Sequence, residues 1–119
     1  MFVRLFFGAV RAALMAALLI THEAAAQRFV ARLAAGAAEV GELTYQISRA
    51  QMDLQHTFVA PSGRGLGVGA RLADAACAHA RAHSFSVLAS CSYLSDKYFR
   101  EPPAGWVYDK DSKVAKLLQ

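Results

Sequence analysis

The stretch that decides the fold runs from Thr57 to Gly69 and reads Thr-Phe-Val-Ala-Pro-Ser-Gly-Arg-Gly-Leu-Gly-Val-Gly. A β-prone run ends at Val59, Pro61 breaks it, and four glycines then lead into an alanine-rich helical stretch. The pattern predicts a strand, a tight loop and the start of a helix. Glycine lets the backbone approach a ligand closely, and the N–H groups of a helix N-terminus attract anions. This geometry therefore suits a phosphate or pyrophosphate.

The stretch fits the patterns of two common nucleotide-binding loops poorly. A P-loop ends in Lys-Ser or Lys-Thr, and no such pair follows Gly69, which disfavours a nucleoside triphosphate. The spacing Gly65-x-Gly67-x-x-Ala70 satisfies a degenerate dinucleotide fingerprint. That fold needs an acidic residue roughly 20 positions further on, and the neighbourhood of Val87 contains none. About 50 residues follow the loop, too few for the remainder of a doubly wound sheet.

Three ordered motifs resemble the GNAT superfamily of N-acetyltransferases. The run Arg64-Gly-Leu-Gly67-Val-Gly69 has the form Arg/Gln-x-x-Gly-x-Gly/Ala of that superfamily's acyl-CoA pyrophosphate loop. An upstream run ends on His56-Thr57, and a downstream run closes on Cys91-Ser92-Tyr93. The combination is similar to the compact single-domain Yjdj-type members, including their short plant members. The likeness spans Arg28 to Trp106.

The pattern before the loop has period two. Apolar and polar residues alternate from Arg28 to Val59, with turn signals at Ala35-Gly36 and Ser48 to Gln51. Three antiparallel strands in a meander follow from this pattern. We expect His56 to share a face of the third strand with the apolar residues Met52, Leu54 and Phe58.

After the loop the period becomes helical from Val68 to His83, and Val87 to Cys91 then reads as a short strand. This is one βαβ unit, whose right-handed crossover places its last strand beside the glycine-loop strand. The sequence thus predicts an α+β fold. The resemblance implies a small GNAT fold, in which these two strands splay apart and hold acyl-CoA in the gap. A short helix is expected over Tyr93 to Arg100.

The chain divides into three predicted segments. Residues 28–106 form the GNAT-type domain, residues 1–27 form a leader, and residues 107–119 form a tail that we expect to be frayed or weakly helical from Lys110. The leader is apolar, with Arg4 and Arg11 as its charges before His22-Glu23. A secretory signal, a membrane anchor, a transit peptide and a misassigned start all compete for it. Arg11 interrupts the apolar run, which favours a transit-like or divergent leader.

Two residues are candidate catalysts. Acetyl transfer to an amine needs a base for the amine proton and an acid for the leaving thiolate. His56 lies near the end of a strand beside the loop, and imidazole titrates near neutrality, which suits a base. The sequence alone favours a buried core histidine here, and the resemblance implies the catalytic base instead. Cys91 directly precedes a helix start and is the candidate nucleophile, acid or base. Tyr93 is a further candidate acid, although its residue type favours a packing role.

The resemblance also implies the cosubstrate site. The pyrophosphate of acetyl-CoA would lie on the backbone of Arg64, Gly65, Leu66, Gly67, Val68 and Gly69, and pantetheine amides would bond backbone groups at Phe58 and Val59. The predicted function is an acetyl-CoA-dependent N-acetyltransferase acting on a protein lysine, an N-terminus or a small polyamine. A non-catalytic CoA-binding or interaction module on the same fold is the alternative.

Composition bounds the remaining possibilities. The 119 residues carry a net charge of +4, but the basic residues are scattered, so no nucleic-acid partner is expected. His79 and His83 stand four apart on a helix without a convincing third ligand, so no metal site is predicted. Two cysteines form no disulfide framework, which favours an intracellular, cytoplasmic or nuclear protein. An organellar location follows if residues 1–27 are a transit peptide, and a membrane partner is not expected.

Overall fold

The described part of the chain folds as one mixed seven-stranded sheet with a long helix packed on one face. The computed structural model describes residues 17–118. The sheet order is β1-β2-β3-β4-β5-β7-β6. The strands are Leu19–Glu23 (β1), Arg28–Arg32 (β2), Glu39–Ser48 (β3), Gln51–Val59 (β4), Ser86–Ala89 (β5), Trp106–Asp109 (β6) and Val114–Leu117 (β7). The α-helices are Val68–Ala82 (α1) and Ser92–Asp96 (α2), and short 3₁₀ turns cover Ala24–Ala26, Pro61–Gly63 and Tyr98–Arg100.

The predicted meander and βαβ unit are both confirmed. Strands β2, β3 and β4 pair antiparallel in sequence order. Strand β5 then pairs parallel with β4, from Gln51 opposite Ser86 to Leu54 opposite Ala89. The short helix expected after Cys91 is α2 together with the turn at Tyr98–Arg100.

The C-terminal segment differs from its prediction. Residues 106–109 and 114–117 form the antiparallel hairpin β6–β7, and β7 pairs with β5, so the expectation of a frayed or weakly helical tail is wrong. The turn is closed by Asp109, whose carboxylate accepts hydrogen bonds from the Asp111 amide at 3.2 Å and the Ser112 hydroxyl at 2.7 Å. An aspartate that satisfies the backbone of a turn between two β-prone runs is a hairpin signal.

The sheet also begins earlier than the resemblance suggests. Leu19–Glu23, within the predicted leader, is an edge strand paired with β2 from Leu19 opposite Arg32 to Glu23 opposite Arg28. The rest of the leader assignment, over residues 1–16, lies outside the described residues. A leader role for residues 1–27 stays a prediction.

Helix α1 closes the core against the sheet. Its buried residues lie on one stripe: Val68, Leu72, Ala73, Ala76, Cys77 and Ala80. Gly41 on β3 lets the helix approach closely, because a Cβ there would lie 2.5 Å from Cγ1 of Val68. Burial raises the pKa of the Cys77 thiol to about 11, so this cysteine is a protonated core residue. Both cysteines are unpaired, as thiols rather than a disulfide.

Three histidines join the edge strand β1 to the C-terminal half of α1. His22 stacks on Phe29 with ring centroids 4.2 Å apart, and its Nε2 lies 2.6 Å from the Tyr45 hydroxyl. The His79 ring lies 4.5 Å from that of His22 and 4.3 Å from that of His83. Burial first, and neighbouring histidines second, lower the pKa values of His22 and His79.

This cluster predicts a loss of stability in mild acid. An unfolded histidine takes up a proton near pH 6.5, before the folded His22 and His79 do, so stability falls as the pH drops below that value. We expect a lower melting temperature at about pH 5.5 than at about pH 7.5, a range in which carboxylates stay largely ionised. Measured by scanning calorimetry, the difference in melting temperature between the two pH values should be smaller in His79→Gln and unchanged in the control His56→Gln. An equal difference in both variants would contradict the assignment of this effect to the histidine cluster.

Within residues 17–118, no helix has the length and apolar character needed to cross a membrane.

Candidate active site

A cleft of about 360 Å³ lies where the glycine loop, strand β4 and helix α2 meet. Its lining residues are Thr57, Val59, Gly67, Val68, Gly69, Ala70 and Tyr93. A larger depression of about 650 Å³ lies around α2 and β6, bordered by Asp96, Arg100 and Lys110. We place the site in the smaller cleft, because it contains the helix N-terminus and the strand ends that the sequence singles out.

The glycine loop leaves the start of α1 open. Gly67 is the N-terminal capping residue with a left-handed backbone at φ +71°, and no side chain among residues 17–118 caps the helix. Gly65 has φ +80°, and a Cβ built at either glycine would meet no atom within 4 Å. The first N–H groups of α1 therefore lie at the cleft without an acceptor among the described side chains, an arrangement that favours an anion.

The residues of the predicted cosubstrate loop differ in how deeply their side chains are buried. Leu66 and Val68 are 7% and 2% exposed, so their side chains anchor the loop in the core and leave the backbone to face a ligand. Arg64 is exposed beside them. Gly69 has a separate role, because a Cβ there would lie 3.1 Å from the Tyr93 ring. Glycine at this position lets Tyr93 lie directly over the first turn of α1.

Strand β4 offers an unpaired edge at the same place. Its pairing with β5 ends at Leu54, whose carbonyl accepts the last hydrogen bond from the Cys91 amide at 3.0 Å. Beyond that point, from Gln55 to Val59, β4 is paired with β3 alone among the described strands. The two parallel strands therefore part, and backbone groups near Phe58 and Val59 remain available to an extended ligand.

A β-bulge in β4 changes the predicted orientation of His56. Thr44 pairs with His56 but Tyr45 pairs with Leu54, so Gln55 is an extra residue. Cross-strand partners share a face, and residues two apart on β3 share a face. Leu54 and Thr57 therefore both face α1, whereas His56 lies opposite.

The expectation that His56 shares a face with Met52 and Leu54 is consequently wrong. Those two residues are fully buried under α1, whereas His56 is exposed and Phe58 is 61% exposed. We call the side of β2–β4 that carries Thr44, His56 and Phe58 the open face.

Cys91 lies on the other side, next to the cleft. It is 9% exposed, and its thiol donates a hydrogen bond to the hydroxyl of Thr57, with Sγ and Oγ1 3.4 Å apart. No hydrogen bond joins the side chains of His56 and Cys91 in the described part of the chain. The gap between β4 and β5 thus separates an imidazole on the open face from a thiol on the cleft face.

Tyr93 completes the cleft face. Burial raises the pKa of its phenol, and the nearby Asp74 and Cys91 add to the effect. The phenol is therefore a neutral hydrogen-bond donor over a wide pH range. The period-two and helical patterns gave no way to find Thr57 as the partner of Cys91, since that contact depends on the bulge.

No group of three potential metal ligands comes together among residues 17–118.

The chain is similar to known acetyltransferases. Residues 28–109 match the model of a family described as GCN5-related N-acetyl-transferase. The crystal structure of Ard1 from Thermoplasma volcanium superposes with a TM-score of 0.52 at 21% identity, over 78% of this chain and 72% of that one. A protein from Desulfovibrio desulfuricans assigned to the GNAT family superposes with a TM-score of 0.50 at 17% identity, over 76% of this chain and 64% of that one. At these identities the likeness concerns the fold, and it confirms the predicted α+β GNAT architecture.

Proposed function

Since the chain belongs to the GCN5-related N-acetyltransferase family, we propose that it transfers an acetyl group from acetyl-CoA to a primary amine. The observation that carries this proposal is the cleft itself. There an uncapped helix N-terminus, an unpaired strand edge and a partly buried phenol meet within one short region. In acetyl-CoA, such a cleft would contact the pyrophosphate anion, the pantetheine amides and the thioester sulfur. Membership of the Yjdj-type subgroup stays a prediction.

The cosubstrate placement follows from these groups. The pyrophosphate lies on the N–H groups of the first turn of α1, beside Gly65 and Gly67, with Arg64 supplying positive charge. The pantetheine arm runs along the unpaired edge of β4 at Phe58 and Val59, where backbone groups bond its amides as an added strand would. This arrangement brings the thioester to the gap between β4 and β5.

The two proton transfers of the reaction take place on opposite faces of the sheet. The amine enters from the open face, and its nitrogen attacks the thioester carbonyl while His56 takes the amine proton. A C–N bond forms, the C–S bond breaks, and the CoA thiolate leaves on the cleft face. Tyr93 and Cys91 lie on that face and supply its proton.

We favour direct transfer over an acetyl-enzyme. The Cys91 thiol donates its hydrogen bond to Thr57 and has no hydrogen-bonded base beside it among the described residues, whereas a nucleophilic cysteine needs one or a comparable source of thiolate stabilisation. A cysteine that already donates a hydrogen bond at this position is suited to proton donation.

Acetyl-CoA titration and intact-mass spectrometry test this proposal together. We expect calorimetric binding to the wild type, acetylation of a simple primary amine and no mass gain of one acetyl group on the protein. In Cys91→Ala, turnover should fall but persist, because Tyr93 still supplies a proton. An acetyl adduct that disappears together with all turnover in Cys91→Ala would establish the covalent route instead. A folded wild type that does not bind acetyl-CoA would overturn the proposal, and binding without turnover would favour a non-catalytic module.

A further inference from the structure

Among the described residues, the open face contains one carboxylate with an unsatisfied oxygen. Oδ1 of Asp53 on β4 is out of contact with solvent, and no described residue gives it a hydrogen bond. The residue as a whole is half-buried, so part of it reaches the surface. A partly desolvated carboxylate without a donor is unfavourable in the free protein, and a cation beside the carboxylate would relieve that cost.

The other acidic residues near this face are already neutralised. Arg28 lies 2.8 Å from the carboxylates of both Glu23 and Glu39, and 3.7 Å from that of Glu42. Arg32 adds contacts to Glu23 and Glu39 at 3.9 and 3.3 Å. No ion pair includes Asp53 within the described ranges. Neither arginine neutralises Asp53, so its charge remains available to a ligand.

Asp53 and His56 stand on the same face at a defined spacing. Asp53 pairs with Gln46 and His56 pairs with Thr44, two positions apart on β3, because the bulge at Gln55 absorbs one residue. Their Cα atoms are therefore separated by about 7 Å, the rise of two residues along a strand. Without the bulge, two residues three apart would face opposite sides of the sheet.

We propose that Asp53 selects acceptors with a second positive charge, held about 7 Å from the amine that His56 deprotonates. This inference rests on the proposed acetyltransferase function and names its substrate class as an aliphatic diamine or polyamine. An extended five-carbon chain holds two nitrogens at about the required separation. The remote ammonium binds the Asp53 carboxylate, and the near one loses its proton and becomes acetylated.

Two amines of equal chain length provide the test: 1,5-diaminopentane, which carries the second charge, and n-pentylamine, which does not. We expect the wild type to have a kcat/KM about tenfold higher for the diamine. Asp53→Asn keeps the side-chain shape and should remove this preference by lowering diamine turnover alone. Glu42→Gln makes the same chemical change on the same face within the Arg28 cluster, and should keep the preference.

Calorimetric binding of the two amines to the CoA-loaded protein separates this inference from the proposed function. A diamine preference in binding that Asp53→Asn removes supports the inference, even if neither amine becomes acetylated and the acetyltransferase proposal fails. Equal binding and equal turnover of the two amines by the wild type overturn it while leaving acetyl transfer intact. Retention of the preference in Asp53→Asn also overturns it.

Discussion

Replacing Gly67 by glutamate should weaken acetyl-CoA binding strongly without unfolding the protein. The new side chain would enter open space at the mouth of the cleft, where a Cβ meets no atom within 4 Å. Its carboxylate would occupy the helix N-terminus that we assign to the pyrophosphate, and would repel that anion. We expect the dissociation constant, measured by calorimetry, to rise by about 100-fold or more, because both a favourable anion site and its charge balance are lost.

A second glycine serves as a matched control for backbone strain. Gly36 has φ +78°, close to the +71° of Gly67, and a Cβ there also meets open space. Glutamate costs about 1–2 kcal/mol of stability at either position, because both backbones are left-handed. Gly36→Glu should therefore lower the melting temperature about as much as Gly67→Glu and leave acetyl-CoA binding unchanged. Equal loss of binding in both variants would show that instability, rather than the anion site, is responsible.

Much of this fold is readable from local pattern. The alternation from Arg28 to Val59 and the helical period from Val68 to His83 each reflect one buried face, and burial is what periodicity records. The glycine loop was equally readable, since left-handed residues such as Gly65 and Gly67 leave few alternatives to glycine. These elements confirm the predicted meander, βαβ unit and loop.

The flanking strands were harder to predict because local signals there compete. Leu19–Glu23 follows an apolar run that resembles a leader, and its strand character depends on pairing with β2. The β6–β7 hairpin consists of two four-residue strands, too short for a clear period, and is fixed by pairing of β7 with β5.

The candidate site depended most on one unpredictable feature. Strict alternation placed His56 with Leu54, but the extra residue Gln55 turns the imidazole to the open face and turns Thr57 toward Cys91. A bulge has no dependable sequence signature here, because Gln55 is neither glycine nor proline. The residue types of the site were thus available from the sequence, whereas their division between two faces was not.

Because His56 lies on the open face, its replacement should affect catalysis without affecting acetyl-CoA binding. His56→Gln should lower kcat for a primary amine by about 100-fold or more, the usual range for loss of a general base. Acetyl-CoA affinity should not change, because the imidazole lies on the open face and the cleft on the other. Stability should also be kept, since the side chain is exposed.

The pH profile distinguishes a base from a merely structural residue. As the pH rises, hydroxide can take the amine proton in place of the missing imidazole, so the deficit of His56→Gln should shrink. His83→Gln makes the same change at another exposed histidine, away from the cleft lining, and should match the wild type in kcat at every pH tested above neutrality. A His56→Gln deficit that stays constant with pH would assign His56 to acceptor binding. Full activity in this variant would contradict the assignment of His56 as the base that takes the amine proton.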